Sequence, residues 1–600
     1  MKNITFLLII IQLTTLNSVS KPLEENENRS LKWEILEKNY EDNRDNSTYW
    51  EIVPKKEILR ELDETFQEQT DINNLFSNLD LLSNTEIYEI TPIIPLNNFI
   101  KNDEIETSIE WKSSFGGGKA GGIGQQNNSL KIDYGLSKNM QLTGYFSEAD
   151  DDTYNYINGA RAQYSWQNYA ISLKKSILKP NNGKNSLSSF ASIEYWRLSS
   201  GSDYTKSIYN EIDNSLGKDR FNKIIGSFSL PFSHKITNDL EGLLVPGITF
   251  LPEKFGNKTS RSNGYGENIY LGTGLLWKLS DNFKLTSSFT MPLGKGNNYF
   301  DKNLNFSKKP IYSFGLNWDL NKKISLETKI TNGYGSTPAT GLLTIPSDNL
   351  PLYAANFKYN PYGKDTYLKP LETRDKLISF GGITVNNALI PSNGTGQYSF
   401  DLDSNGNYNT SYSYSLSNIF QLELINLGAI NNASNNTFIN ENFTNTYLDK
   451  NNFNIRLGGK FLLFSPQKND ILWTSLRTSV GRNESSNQGY VFSELINTYR
   501  VNNWLAANLT SKYFYSGIEQ FGAFGGSIYL NLSDNLQIIP EINYLLDKKM
   551  QSNNTISVRY SFSEDKSIDL YLSNSLSSED LSQLLRSKNN RFGIKLNLLY

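Results

Sequence analysis

The sequence predicts an all-β protein: a transmembrane antiparallel up-and-down β-barrel of about 24 strands (22–26), preceded by a largely irregular acidic segment. Three observations predict it. The chain ends on a strand that alternates apolar and polar residues. One turn phrase recurs along the chain, with strands on either side. Short turns and long polar loops fall on opposite ends of the strands when the hairpins are counted back from the C-terminus.

The terminal strand comes first. Phe592, Ile594, Leu596, Leu598 and Tyr600 share one face, while Gly593, Lys595 and Asn597 share the other. Successive side chains of a strand point to opposite faces, so one face is apolar and the other largely polar. A large aromatic at the last position of the apolar face suits a bilayer interface.

The turn phrase runs Tyr134-Gly-Leu-Ser-Lys-Asn-Met-Gln-Leu142. It returns from Trp277 to Leu285, Trp318 to Leu326, Tyr414 to Leu422 and Leu530 to Ile538. An aromatic and a leucine two apart lie on one face, Ser, Asp and Asn make the turn, and an apolar residue resumes the outer face. Looser copies occur around Val501–Trp504 and Phe562–Lys566. With Tyr600 at the periplasmic end, alternation puts turns at 563–566, 533–535, 502–503, 417–419, 320–323 and 280–282 on that side. The longer, Asn-rich segments 576–589, 547–553, 428–452, 293–309 and 251–265 then lie outside. A parity fault remains around 199–221, where a strand is missing or extra.

Composition narrows the chemistry. There is no cysteine, one histidine (His234) and four methionines, which leaves little for zinc, haem, iron–sulfur or Cys-nucleophile sites. No metal and no cofactor is expected. Hydrophobic residues make up 38%, low for a soluble globular chain of this size, and no internal run approaches the length of a spanning helix. The 35 Tyr and 32 Phe suit strands that face lipid and water by turns, although a secreted array of β-sandwiches has a similar composition. A net charge of −3 gives no reason to expect a nucleic-acid partner.

The N-terminus reads as a cleaved signal peptide over residues 1–20. Lys2 is the positive end, Ile4 to Leu16 the apolar stretch, and Ser18-Val19-Ser20 the small-x-small site. Residues 21–103 form an acidic periplasmic segment. Within 21–100 there are 18 Asp/Glu against 8 Lys/Arg, a net of −10. A short helix is expected from Pro54 to Glu68. Trp-Glu-Ile occurs at Trp33–Ile35 and again at Trp50–Ile52, either as a docking repeat for a periplasmic partner or as anchors in an extended linker. The barrel occupies 104–600.

The terminal aromatic strand and the turn phrases resemble porin-type outer-membrane β-barrel proteins of a Gram-negative envelope. The resemblance covers roughly residues 104–600 and rests on pattern, with no family-specific motif. The Asn/Lys bias and acidic linker are also similar to cyanobacterial envelope proteins, without a surface-layer homology domain. It implies an outer-membrane location, lipid as the surrounding partner, and a barrel-assembly machinery that reads Phe592 and Tyr600.

Alternation places Lys131, Asp133, Lys284, Glu327, Lys329 and Glu541 in the lumen, as pore-lining groups or as cross-strand ion pairs. The insertion Tyr334–Asp375 is far longer than an ordinary loop. Its Tyr359, Tyr362, Lys364, Tyr367, Lys369 and Arg374 are candidates for a constriction inside the lumen or for an outer cap, between expected strands 324–333 and 376–385. Gly116–Gly124 lacks the Lys-Ser/Thr ending of a phosphate loop. His234 beside Ser233 resembles the Ser/His pair that outer-membrane phospholipases use, but adjacent strand residues point apart, so no catalytic residues and no enzyme are expected.

The expected function is a porin-like channel for passive diffusion of small polar solutes. The alternatives are a barrel that inserts protein or lipopolysaccharide, and a plugged transporter. Against them stand the missing Arg-Gly-Phe/Tyr lumen motif of the Omp85 family and an N-terminal region too short for a large plug.

Overall fold

In a computed structural model, the residues described are 86–600 apart from 114–125, 153–162, 179–183, 201–218, 254–264, 302–304, 345–350, 369, 428–453, 466–471, 484–487, 517–518 and 547–551. The signal peptide, the helix expected at Pro54–Glu68, the Trp-Glu-Ile copies, Gly116–Gly124 and Lys369 lie outside them.

The alternating segments do form antiparallel strands, but they close twice. The first barrel takes its twelve staves from Ile105–Ser113, Gln126–Ser137, Met140–Asp152, Gln163–Leu178, Asn185–Ser200, Asp219–Ser229 with Phe232–Lys235, Leu240–Phe250, Glu267–Lys278, Phe283–Leu293, Ile311–Asp319, Ile324–Thr331 and Leu352–Tyr359. It closes where Leu352–Tyr359 pairs back onto Ile105–Ser113, with Phe357 opposite Ile109. The second takes Gly396–Asp403, Tyr408–Ser417, Phe420–Leu427, Asn454–Phe464, Leu472–Asn483, Gln488–Arg500, Leu505–Tyr515, Gln520–Asn531, Leu536–Leu545, Asn553–Ser563, Lys566–Ser575 and Arg586–Leu599. Here the terminal strand pairs with Gly396–Asp403, with Leu596 opposite Phe400. The expected single barrel of about 24 strands is therefore corrected to two barrels of twelve.

Two local readings change with it. Asn185–Ser200 pairs directly with Asp219–Ser229, so among the described residues no strand is missing or extra around 199–221. Pro231 lacks the N–H that a ladder needs, so Phe232–Lys235 continues the same stave after a break, and both flanking strands pair with both pieces. Residues 376–385, expected as a strand, instead begin in helix α1 (Thr373–Ser379) and continue as irregular chain. The strand that does follow Ile324–Thr331 is Leu352–Tyr359, inside the presumed insertion.

Period-2 burial sorts the walls. On the terminal strand Phe592, Ile594, Leu596, Leu598 and Tyr600 are exposed outward, whereas Lys595 and Asn597 are buried in the lumen. The outer faces of the two barrels touch through a ring cluster: Phe357 lies 4.8 Å from Phe420, and Phe420 lies 4.4 Å from Phe461. The turns at 280–282, 320–323, 417–419, 502–503, 533–535 and 563–566 all join strands at one end of the barrels. The second barrel also has brief connections at the other end, such as 404–407, so the length rule is cleaner in the first barrel.

Candidate functional site

Neither lumen is empty. Each is entered from the short-turn end by the chain that precedes its first strand. Each is entered from the opposite end by the loop between its eleventh and twelfth strands. The plan is the same in both barrels, which makes the molecule an internal architectural repeat.

In the first barrel the entering chain is a small hairpin, Glu89–Thr91 paired with Ile94–Pro95. Its Ile87, Ile90, Ile93, Ile94 and Leu96 are buried against Leu243, Val245, Tyr270 and Ile311 of the wall. The wall makes room with Gly272, where a Cβ would stand 2.1 Å from the Ile94 Cδ1. Polar anchors flank this seat. Glu89 lies 3.1 Å from Lys131, and the Tyr145 hydroxyl donates to Glu89 at 3.2 Å. Lys174 donates to the carbonyls of Leu96 (3.1 Å) and Asn98 (2.5 Å). From the other end, residues 332–344 fold inward. Glu194 accepts from the Thr337 hydroxyl (2.7 Å) and the Ala339 N–H (2.6 Å), and Lys112 donates to the Gly335 carbonyl (3.1 Å). Leu342 of this loop joins the isoleucine cluster of the hairpin.

In the second barrel the entering chain is α1 and the irregular run to Ile390. Glu541 on the wall accepts four hydrogen bonds from its tip: from the N–H groups of Ile383 (2.6 Å), Thr384 (2.6 Å) and Val385 (2.8 Å), and from the Thr384 hydroxyl (2.8 Å). Only glycine fits beside that carboxylate, since a Cβ on Gly382 would lie 2.5 Å from a Glu541 oxygen. Arg559 donates to the carbonyls of Leu377 (2.7 Å) and Gly381 (2.5 Å) while its Nε holds Asp569 at 2.7 Å. Lys595 donates to the Gly382 carbonyl at 3.1 Å. Ile378, Ala388 and Leu389 pack on Trp473, Ile496, Tyr529 and Ile539, so the stem of the segment is apolar and its tip is polar.

Residues 576–585 meet that tip from the opposite end. Lys512 joins the two, donating to the Thr384 carbonyl (2.7 Å) and to Gln583 Oε1 (2.9 Å). Arg477 sits among Glu423 (2.6 Å), Glu494 (2.6 Å), Glu579 (3.5 Å) and Asp580 (3.5 Å). Burial pushes the Glu579 carboxyl up to about 7, against the pull of Arg477 and Lys595. Burial likewise raises the carboxyl of Asp375 in α1, opposed by Arg500 at 3.0 Å.

The candidates from sequence divide clearly. Lys131, Asp133, Glu327, Lys329 and Glu541 are buried in the lumens, with Lys284 partly buried. Most of them pair: Lys131 with Asp133 (3.2 Å), Lys329 with Glu327 (3.2 Å) and Glu110 (3.4 Å), Lys284 with Asp319 (2.7 Å). Lys131 and Glu541 also hold the inner chain, a role that alternation alone does not indicate. The constriction candidates among the described residues are not brought together in a lumen. Tyr359 ends the closing strand and packs in the inter-barrel cluster, Tyr367 is 88% exposed in the linker, Tyr362 is exposed, and Lys364 lies in the same linker. Arg374 is on α1, where its guanidinium donates to the Asn502 carbonyl at the short-turn rim. The part of the insertion that does enter a lumen is 332–344. Ser233 is buried inward and His234 points out, with its Nδ1 2.6 Å from Asn185 Oδ1.

These features define a class: a chain of two closed β-barrels with apolar outer faces and lumens occupied by their own chain. No protein family matches the sequence, and no curated protein matches it. Solved structures similar to it include the KdgM porin (11% identity, covering 34% of this chain and 98% of that one, TM-score 0.25). Others are the NanC porin (10%, 43% and 98%, TM-score 0.25) and the siderophore receptor PirA from Pseudomonas aeruginosa (10%, 84% and 81%, TM-score 0.20). Scores this low carry no argument about function.

Proposed function

We propose that this protein is an outer-membrane conduit for small polar solutes, exported through its N-terminal signal, with 21–85 on the periplasmic side and 86–99 inside the first lumen. Its two pores are closed in this conformation by their inner segments, which must shift for solute to pass. The observation that carries the reading is the contact at the tip in the second barrel. Wall groups Glu541, Arg559, Lys595 and Lys512 hold the tip by hydrogen bonds to its backbone, which water can replace when the tip moves. A barrel of twelve staves has a lumen too wide for wall side chains to fill alone, so withdrawing the entering chain together with the loop that meets it leaves an aqueous path. Membrane residence is supported by the exposed Leu, Ile, Phe and Tyr on the outer faces of both barrels.

Planar-bilayer recording of the purified full chain tests this. The intact protein is expected to be silent or to flicker. Replacing 375–391 together with 577–584, or separately 86–99 together with 333–343, by short Gly/Ser bridges is expected to open a steady ohmic conductance. A steady conductance from the intact protein would support the second reading, an open diffusion porin. Silence of both deletion variants, with the barrels folded, would favour an assembly role instead.

A further inference from the structure

On the outer wall of the first barrel, cross-strand rows change character in order toward the long-loop end. Leu142, Leu173, Ala191 and Phe228 lie in register, followed by Gly144, Ile171, Ile193 and Gly226. The next row is Phe146, Tyr169, Tyr195 and Ile224, with the Phe146 and Tyr169 rings 5.1 Å apart. Beyond it come Glu148, Gln167, Arg197 and Asn222, and then Ser165, Ser199 and Arg220. Rows are two residues apart, about 7 Å along the strand. The aromatic row is where a bilayer interface belongs, so the two rows beyond it reach headgroup level.

A cavity of about 200 Å³ opens there, lined by Glu148, Ser165, Gln167, Arg197, Ser199 and Arg220. Gln167 donates to Glu148 at 2.9 Å, and the Ser165 and Ser199 hydroxyls bond each other at 2.6 Å. Among the described residues neither Arg197 nor Arg220 has a hydrogen-bond or ion-pair partner. Two guanidinium groups on one cavity present parallel N–H donors that match phosphate oxygens. We infer that this cavity binds the phosphate of a lipid headgroup in the leaflet on the long-loop side, with the acyl chains lying over the aromatic and aliphatic rows below. The inference rests on the membrane reading and adds a lipid class to it: phosphate-bearing headgroups with an exposed monoester or other unshielded charge.

The test is native mass spectrometry of the full chain in detergent, titrated with phosphatidic acid or with phosphatidylcholine. The intact protein is expected to retain one phosphatidic acid at least tenfold more tightly than phosphatidylcholine. Arg197→Ala with Arg220→Ala should abolish that preference, and Arg197→Lys with Arg220→Lys should restore part of it. Unchanged heat-modifiable migration shows that each variant is folded. Equal retention of the two lipids, or full retention by the double Ala variant, overturns the inference. Displacement of the lipid by millimolar inorganic phosphate would assign the cavity to a free anion and overturn it as well. Flotation of the intact protein with phosphatidylcholine vesicles separates the two levels: failure to float removes the membrane reading, whereas flotation without phosphatidic acid preference removes only the headgroup site.

Discussion

In the first barrel the chain that fills the lumen is seated mainly on hydrocarbon, with five buried apolar side chains from Ile87 to Leu96 against one side of the wall. In the second the tip of the filling chain is held by Glu541, Arg559, Lys595 and Lys512 through its backbone. The entry route and the meeting with the eleventh-to-twelfth loop are shared, so the difference lies in chemistry and not in topology. Hydrocarbon contact is non-directional and tolerates small shifts, whereas hydrogen bonds to charged groups fix one geometry and are lost together when it is left. If the inner segments shift as proposed, the second barrel is the one expected to move between two discrete states.

Mutations can break this comparison. Glu541→Ala removes one acceptor and leaves three backbone N–H groups buried without partners, a local cost of roughly 3–5 kcal/mol. The expected outcome is protease sensitivity at 381–386 and conductance through the second barrel, with the first barrel's hairpin unchanged. Ile94→Ala should loosen the first barrel's hairpin by about 2–3 kcal/mol. Hydrogen exchange should rise at 87–96 and not at 381–386. Loss of protection at both places in either variant would show that the two closures are coupled.

A smaller effect is expected at the C-terminus. The Tyr600 backbone pairs with Gly396 in both directions, and its ring covers the bare Gly396 Cα beside Tyr412. Tyr600→Ser should cost the folded second barrel about 1 kcal/mol and lower its level in the membrane fraction, leaving the first barrel's closure intact. An unchanged level would show that the terminal aromatic is not an assembly signal.

The smallest effect is a pH response of the loop at 576–585. The Glu579 carboxyl is raised to about 7 in the seated loop, above its usual value. Seating is therefore favoured fully below the ordinary carboxylate range and loses that contribution as pH rises through about 7. Protection factors at 580–584, taken relative to the intrinsic base-catalysed exchange rate at each pH, should be lower at pH 8 than at pH 6, and Glu579→Gln should flatten the difference. A reversed slope would mean that Arg477 dominates.

Strand alternation and turn chemistry were legible because they are local. Tyr134–Leu142 and its copies name their hairpins without reference to the rest of the chain. The total of 24 strands follows from the same signal, but where the sheet closes does not. Closure pairs Phe357 with Ile109 and Phe400 with Leu596, far apart in sequence, and no local pattern marks those partners. The inner segments were hidden for a related reason. Leu377, Ile378, Phe380, Ile383 and Val385 read as a strand, yet their partners are lumen walls, which supply the apolar contacts and backbone acceptors that a neighbouring strand would otherwise give. Tyr353 and Phe357 did carry an outward alternation, which the length of the surrounding insertion masked. Pro361 and Pro370, bracketing the linker after Tyr359, were the available clue to a boundary.

The claim that two complete barrels share one chain is tested most directly by cutting between them. A specific protease site inserted at Tyr367, which is 88% exposed, would sever the linker in the folded, detergent-purified protein. If each half closes on itself, two fragments should run as compact, heat-modifiable species on unboiled SDS gels, ending near residue 367 and at Tyr600, because neither has an open edge from which to unfold. If the cut protein instead unfolds in SDS without boiling, the halves depended on each other for closure, and the account of two separate twelve-stranded barrels is wrong.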